Sequence, residues 1–409
     1  MTETPTHFGR YEIVARVAAG GMAEVFAARS RDLAGIDKLV AIKRLLSHLV
    51  DEQRFVEMFL DEARIAANIH SPHCVETLDL GRADDGLPYL VMELVVGAPL
   101  SRLAARLDGP WPPAMAGVLL AEAAEGLHDA HEARDANGTE LRIVHRDVSP
   151  QNVLVGIDGR VRIADFGVAR AVMRITKTKT GQIKGKLGYF SPEQAMGTEM
   201  DRRSDVFSLG IVAWELLAGR RLFRAKQLLE VYTKIVREDA PSLHEAAPHV
   251  PEALADAVMC ALQRDPDARF PDAASFADAL RAGASEAGRL PNNDEISDFV
   301  WRYGGEQVGA LVRAIERSDT GLNRADTRAM LQLPPDRDSL IDVPTDEQAT
   351  HIAERSGAGS ESQSEPSMAS VASSAPASGV EFKGPPPSST AKTGVFERFS
   401  GWLARFFGS

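Results

Sequence analysis

The stretch His145-Arg146-Asp147-Val148-Ser149-Pro150-Gln151-Asn152 decides how the rest of this 409-residue chain is read. A carboxylate at Asp147 can take the proton of an attacking hydroxyl, and the side-chain oxygen of Asn152 suits a hard divalent cation. A second metal-binding oxygen follows in Asp165, within Asp165-Phe166-Gly167, and Ser191-Pro192-Glu193 closes the segment beyond it. Upstream, Val40-Ala41-Ile42-Lys43 reads as a strand, and Glu62 falls on the helix that follows, so an ion pair can hold the lysine against phosphate groups. Moving a γ-phosphate needs these parts together: a phosphate cradle, a lysine, metal-holding oxygens and a proton acceptor on a fixed scaffold. Any one element arises by chance; six in the right order and approximate spacing do not.

These residues resemble the protein kinase superfamily, specifically its bacterial Ser/Thr branch, from Tyr11 to about Gly283. The resemblance implies an α+β, bilobal protein kinase fold with a small β-rich N-lobe and a large α-helical C-lobe. It implies transfer of the γ-phosphate of ATP to Ser or Thr hydroxyls of protein substrates in signal transduction, with Mg²⁺ or Mn²⁺ held by Asn152 and Asp165. In that pattern Met92 is the gatekeeper and Glu93 to Val95 form the hinge that meets adenine, with Val17, Val25, Ala41 and Leu154 sandwiching the ring. Asp205 corresponds to the residue that anchors the catalytic loop, and Arg269 to the buried partner of Glu193. His145 reads as a packed structural histidine, since Asp147 already supplies the base.

Two departures mark a variant. The phosphate loop runs Ala18-Ala19-Gly20-Gly21-Met22-Ala23, with alanine at two of the three usual glycine positions. The central pair still permits close backbone approach to phosphate, while the added methyl groups point to weaker ATP affinity. Secondly, most Ser/Thr kinases carry a lysine two residues after the catalytic aspartate and a threonine before the Ser-Pro-Glu landmark. Here those positions are Ser149 and Lys186, so hydroxyl and ammonium have exchanged places. Lys186 is then the expected charge on the transferring group, against the plainer reading of a solvated loop lysine. Gln151 stands where kinases that select basic substrates carry an acid, and its neutrality weakens that preference.

Arg146, directly before the base, is in the family the partner of a phosphorylated activation segment. Thr176, Thr178 and Thr180 alternate with Lys177 and Lys179, and spacing back from Gly185 favours Thr178 and Thr180 for autophosphorylation. A polar loop without modification is the alternative.

Further out, strand-like runs Tyr11–Val17, Glu24–Ala28 and Leu39–Arg44, a helix over Glu52–Ile69 and a hairpin over Val75–Leu94 build the small lobe behind a short leader, residues 1–10. Ala-rich amphipathic or buried segments, Pro113–His131, Ser204–Ala218 and Pro251–Leu262, build the large one. A helical extension over 284–340 contains a helical stripe from Glu295 to Ile315, interrupted by Gly-Gly, that could pack on the large lobe. Residues 341–393 read as a disordered Ser/Ala/Pro-rich linker, and 394–409 as an amphipathic helix. That terminal face suits a partner protein, a membrane surface or the kinase itself.

The net charge of -12 disfavours nucleic-acid binding. Two distant cysteines, Cys74 and Cys260, make no disulfide framework and fit a reducing cytoplasm. The first residues lack a secretory pattern, and no stretch approaches the roughly 20 apolar residues of a membrane span. Peripheral membrane attachment stays open. Two rivals stand beside the kinase reading. A nucleotide-binding pseudokinase or scaffold is suggested by the altered loop and Ser149, and opposed by Lys43, Glu62, Asp147, Asn152 and Asp165. A small-molecule kinase is opposed by the Ser-Pro-Glu, Asp205 and Arg269 landmarks.

Overall fold

Alternation along the strand Asp37–Leu45 organises the first lobe. Val40 and Ile42 point to one face, where they join Phe8, Tyr11, Phe26, Ala28, Tyr89 and Val91 in a closed apolar cluster. Ala41 and Lys43 therefore point to the other face, toward the second lobe. The computed structural model describes residues 6–31, 37–49, 52–166, 187–225 and 227–318, all within one compact unit.

Six strands form the antiparallel small-lobe sheet: β1 His7–Phe8, β2 Tyr11–Ala19, β3 Ala23–Arg31, β4 Asp37–Leu45, β5 Thr77–Arg82 and β6 Pro88–Glu93, in spatial order β1-β2-β3-β4-β6-β5. Helix α1, Gln53–Ala66, follows β4 and buries Phe55, Phe59, Glu62 and Ala63, an i, i+4, i+7, i+8 face. The expected hairpin across Asp84-Asp85-Gly86 is the β5–β6 pair, with Gly86 at φ 79° in its turn.

The large lobe contains α2 Leu100–Leu107, α3 Pro113–His131, α4 Pro192–Met196, α5 Arg203–Ala218, α6 Leu228–Arg237, α7 Leu243–Ala246, α8 Glu252–Ala261 and α9 Ala273–Glu286. Helices α3 and α5 are apolar nearly all round, as central helices must be. A second small sheet, β7 Gly97–Pro99, β8 Val153–Gly156 and β9 Val161–Ile163, lies where the chain enters this lobe. The extension forms two helices, α10 Asn293–Gly304 and α11 Glu306–Arg317. Only the first packs as expected, on α2 and the small sheet; α11 instead meets β2 of the small lobe. The break is Gly305, whose φ 63° and ψ -150° are open to glycine and closed to other residues.

Gly167, Thr176, Thr178, Thr180 and Lys186 lie outside the described residues, as do the linker, the terminal helix over 394–409 and the extension beyond Ser318. Among the described residues no helix is long and apolar enough to cross a membrane.

Candidate active site

Sheet register assembles the roof of the interlobe cleft. Val25 of β3 pairs with Lys43 of β4, and Ala41 pairs with Met92 of β6, so these side chains share the face turned toward the large lobe. From below, Leu154 of β8 is half-buried opposite Pro99. Val17, Val25, Met92, Glu93, Val95 and Leu154 are all partly accessible, as the lining of an open cleft is. Glu93 is committed twice: its N–H donates to Glu76 O at 2.9 Å, and its carboxylate pairs with Arg162 at 2.8 Å.

The β2–β3 turn is closed by Gly20 N donating to Ala23 O at 2.8 Å, and Leu46 N donates to Met22 O. Ala18, Ala19, Gly20 and Gly21 are exposed at its tip. Neither glycine takes a positive φ. A Cβ on Gly20 would lie 3.5 Å from Ala23 O, an ordinary contact. The turn itself therefore tolerates side chains, and the value of glycine here lies in letting a phosphate approach the backbone.

Lys43 is buried, with Nζ 2.5 Å from Glu62 Oε1 and 2.8 Å from Asp165 Oδ1. Burial works against the ammonium charge, but Asp165 and Glu62 outweigh it and hold the Lys43 pKa above its ordinary value. For Glu62 burial dominates and, with the second carboxylate of Asp165, lifts its pKa to about 7 against the pull of Lys43. One ammonium thus serves two carboxylates, one buried on α1 and one exposed beyond β9.

On the floor, Asn152 Nδ2 donates to Asp147 O at 2.8 Å and to Asp147 Oδ2 at 3.1 Å. His145 is fully buried: its Nδ1 accepts from Asp147 N at 3.2 Å. Its Nε2 must then carry the proton and donate to Ala164 O at 3.1 Å. This neutral tautomer ties the catalytic loop to the Asp165 segment, and the ring packs on Phe166 at 4.6 Å. Ser149 is 1% exposed, and its Oγ is without a hydrogen-bond partner among the described residues. Gln151 is exposed.

Asp205 holds the loop from beneath. It accepts His145 N at 2.7 Å, Arg146 N at 2.9 Å and His131 Nε2 at 2.8 Å. Burial alone would raise its pKa; the hydrogen bonds from His131 and from the Arg146 amide bring it below the usual carboxylate value. Arg269 grips Glu193 with both nitrogens, at 2.7 and 2.9 Å, stacks over Phe207 and carries Glu193 below its ordinary pKa despite burial. Ser204 Oγ adds a bond to Glu193 at 2.5 Å.

Several contributors escape sequence reasoning. Gln194 Nε2 donates to Arg146 O at 2.7 Å, locking the segment after Ser191 to the catalytic loop. His131 completes the Asp205 network, and Arg162 fixes the hinge carboxylate. None sits in a local pattern of its own; each acts through a partner distant in sequence.

Asn152 and Asp165 offer hard oxygen donors, and the Asp165 side chain is 43% exposed. Two protein donors with open positions fit Mg²⁺ or Mn²⁺ shared with a polyphosphate.

Residues 11–280 match the protein kinase domain family. The chain is 41% identical over 307 residues to the tyrosine-protein kinase MasK of Myxococcus xanthus, covering 73% of this chain and 47% of that protein. It is 36% identical over 277 residues to the serine/threonine-protein kinase PknL of Mycobacterium tuberculosis, covering 68% of this chain and 66% of that one. This chain thus spans about half to two thirds of the length of these relatives. The solved PknI kinase domain of Mycobacterium tuberculosis superimposes with a TM-score of 0.51 at 26% identity, covering 69% of this chain and all of that one. With the ion pair, catalytic loop and buried anchors in place and two thirds of its length matched, the chain belongs to the protein kinase family.

Proposed function

We propose that the protein transfers the γ-phosphate of ATP to Ser or Thr hydroxyls of protein substrates. The observation that carries this reading is Lys43 bonded at once to Glu62 and Asp165, because it links the small lobe, α1 and the large lobe through one charge at the cleft. A scaffold that merely held nucleotide would have no use for that convergence beside an oriented Asp147.

In the proposed reaction Lys43 holds the α- and β-phosphates, and the Gly20–Gly21 turn supplies backbone donors above them. Asp147, oriented by Asn152, receives the proton of the acceptor hydroxyl as its oxygen bonds to the γ-phosphorus and the bond to the β,γ-bridging oxygen breaks, releasing ADP. A divalent cation held by Asn152 and Asp165 would neutralise charge on the transferring group. Val17, Val25, Ala41 and Leu154 sandwich adenine, with Met92 behind and the Glu93 carbonyl and Val95 at its edge. Lys186 is the proposed counter-charge to the γ-phosphate. The buried Ser149 hydroxyl, two residues from Asp147, supports that exchange, since it offers an oxygen where the Ser/Thr kinase pattern has a lysine. Autophosphorylation on Thr178 or Thr180, read by Arg146, is the proposed activating step, and a signalling role in the cytoplasm the proposed setting.

A second reading concerns only the acceptor. MasK carries the name of a tyrosine-protein kinase, so transfer to Tyr is the alternative hydroxyl class. Phosphoresidue analysis after incubation with labelled ATP separates the two: phosphoserine or phosphothreonine supports the first, phosphotyrosine alone the second.

A further inference from the structure

The helix pair α10–α11 lies beyond the residues that match the kinase family, yet it is fastened to both lobes. Asn292 and Glu295 form a reciprocal cap at the start of α10. There the chain lies so close to the β8–β9 turn that a Cβ on Gly159, φ 77°, would sit 2.3 Å from Asn293 O. Phe299 packs on Trp111 at 4.8 Å. At the far end Gly304 O accepts from Arg102 Nε of α2 at 3.3 Å. After the Gly305 turn, α11 buries Val308, Leu311, Val312 and Ile315 and docks on β2. Its last turn is met by buried Arg29 of β3, whose Nη2 reaches Ile315 O at 3.5 Å and Ser318 Oγ at 3.1 Å, a cation at a helix C-terminus.

The point of contact on β2 matters. Strand β1 pairs with Tyr11 and Glu12, and Ile13 N donates to Thr6 O; among the described residues no strand pairs with β2 from Val14 onward on the side away from β3, which leaves that part an edge. The same strand is irregular twice, between Ile13 and Ala15 and between Arg16 and Ala18. Edge strands with bulges are the least restrained part of a sheet. At that place Gln307 Nε2 donates to Val17 O at 3.1 Å. Val17 is the residue proposed above to roof adenine.

We infer that α11 is a working part of the nucleotide site: it holds β2 over the adenine position, and Gln307 is a positioning residue for ATP binding. The inference rests on the nucleotide role proposed for Val17. By linkage, whatever tightens the roof must tighten α11, so nucleotide and helix docking stabilise one another.

Two measurements on the full chain test this. Hydrogen exchange of the amides of residues 308–317, with and without a saturating non-hydrolysable ATP analogue, should show slower exchange with nucleotide. Gln307→Ala should raise KM for ATP about threefold to tenfold, the range of one lost hydrogen bond, with kcat within about twofold, and Gln307→Arg, which keeps a donor, should restore KM. Gln307 is exposed, so the variant keeps its fold. Bound analogue with unchanged exchange, or an unchanged KM in Gln307→Ala, overturns the inference and leaves the kinase reading standing. No analogue binding by calorimetry overturns both.

Discussion

Asp205 and Arg146 are 59 residues apart in sequence, and the carboxylate of one accepts the backbone N–H of the other at 2.9 Å. Arg146 takes φ 65°, a left-handed conformation that costs a non-glycine residue about 1–2 kcal/mol. The Asp205 carboxylate on the N–H side and Gln194 on the carbonyl side make the conformation persist.

Asp205→Asn should therefore lower stability by about 3 kcal/mol at neutral pH and reduce kcat more than KM for ATP. The folded pKa of Asp205 lies below its unfolded value, so its contribution is present above the unfolded pKa near 3.8 and is lost as pH falls through the folded pKa. Denaturant titrations should show the gap between wild type and variant narrowing from pH 7 toward pH 3. A gap independent of pH would contradict the network.

Glu62 gives an activity signature of opposite origin. Its raised pKa, about 7, means that the free enzyme protonates it as pH falls through neutrality, weakening the hold on Lys43. The acid limb of kcat/KM for ATP should show an apparent pKa near 7, and Glu62→Gln should flatten that limb at a lower plateau. A pH–rate profile that keeps the limb in Glu62→Gln would assign it elsewhere.

Arg269→Ala leaves Glu193 buried without its two guanidinium bonds. Loss of about 3–5 kcal/mol of stability is expected, while Arg269→Lys, which cannot reproduce the bidentate grip, should recover only part. Thermal unfolding checks both variants.

For the exchanged pair, Lys186→Ala should cost about as much activity as Lys43→Ala, with nucleotide binding less affected. Near-normal turnover in Lys186→Ala would end that proposal.

Much of the fold and the candidate site is legible in the sequence because local rules govern it. Period-two alternation over 40–43 turns Lys43 into the cleft, and helical spacing over 55–63 turns Glu62 toward it. What was not legible depends on pairing over distance. Helix α11 turns to β2 at Gly305, which takes a glycine-only conformation, and the partners Val17 of Gln307 and Arg29 of Ile315 lie 290 and 286 residues away. Gln194, His131 and Arg162 act in the same way, through backbone or carboxylate partners that no local pattern announces. That the Ser149 hydroxyl is buried, and without a hydrogen-bond partner among the described residues, is a fact that spacing alone does not disclose.

The most direct test is incubation of the wild-type chain and Asp147→Asn with labelled ATP and Mg²⁺ or Mn²⁺, followed by phosphoresidue analysis. The expected result is label on Ser or Thr in the wild type, reduced at least about a hundredfold in Asp147→Asn. Nucleotide binding without label in the wild type, or equal label in both proteins, would contradict a kinase whose base is Asp147.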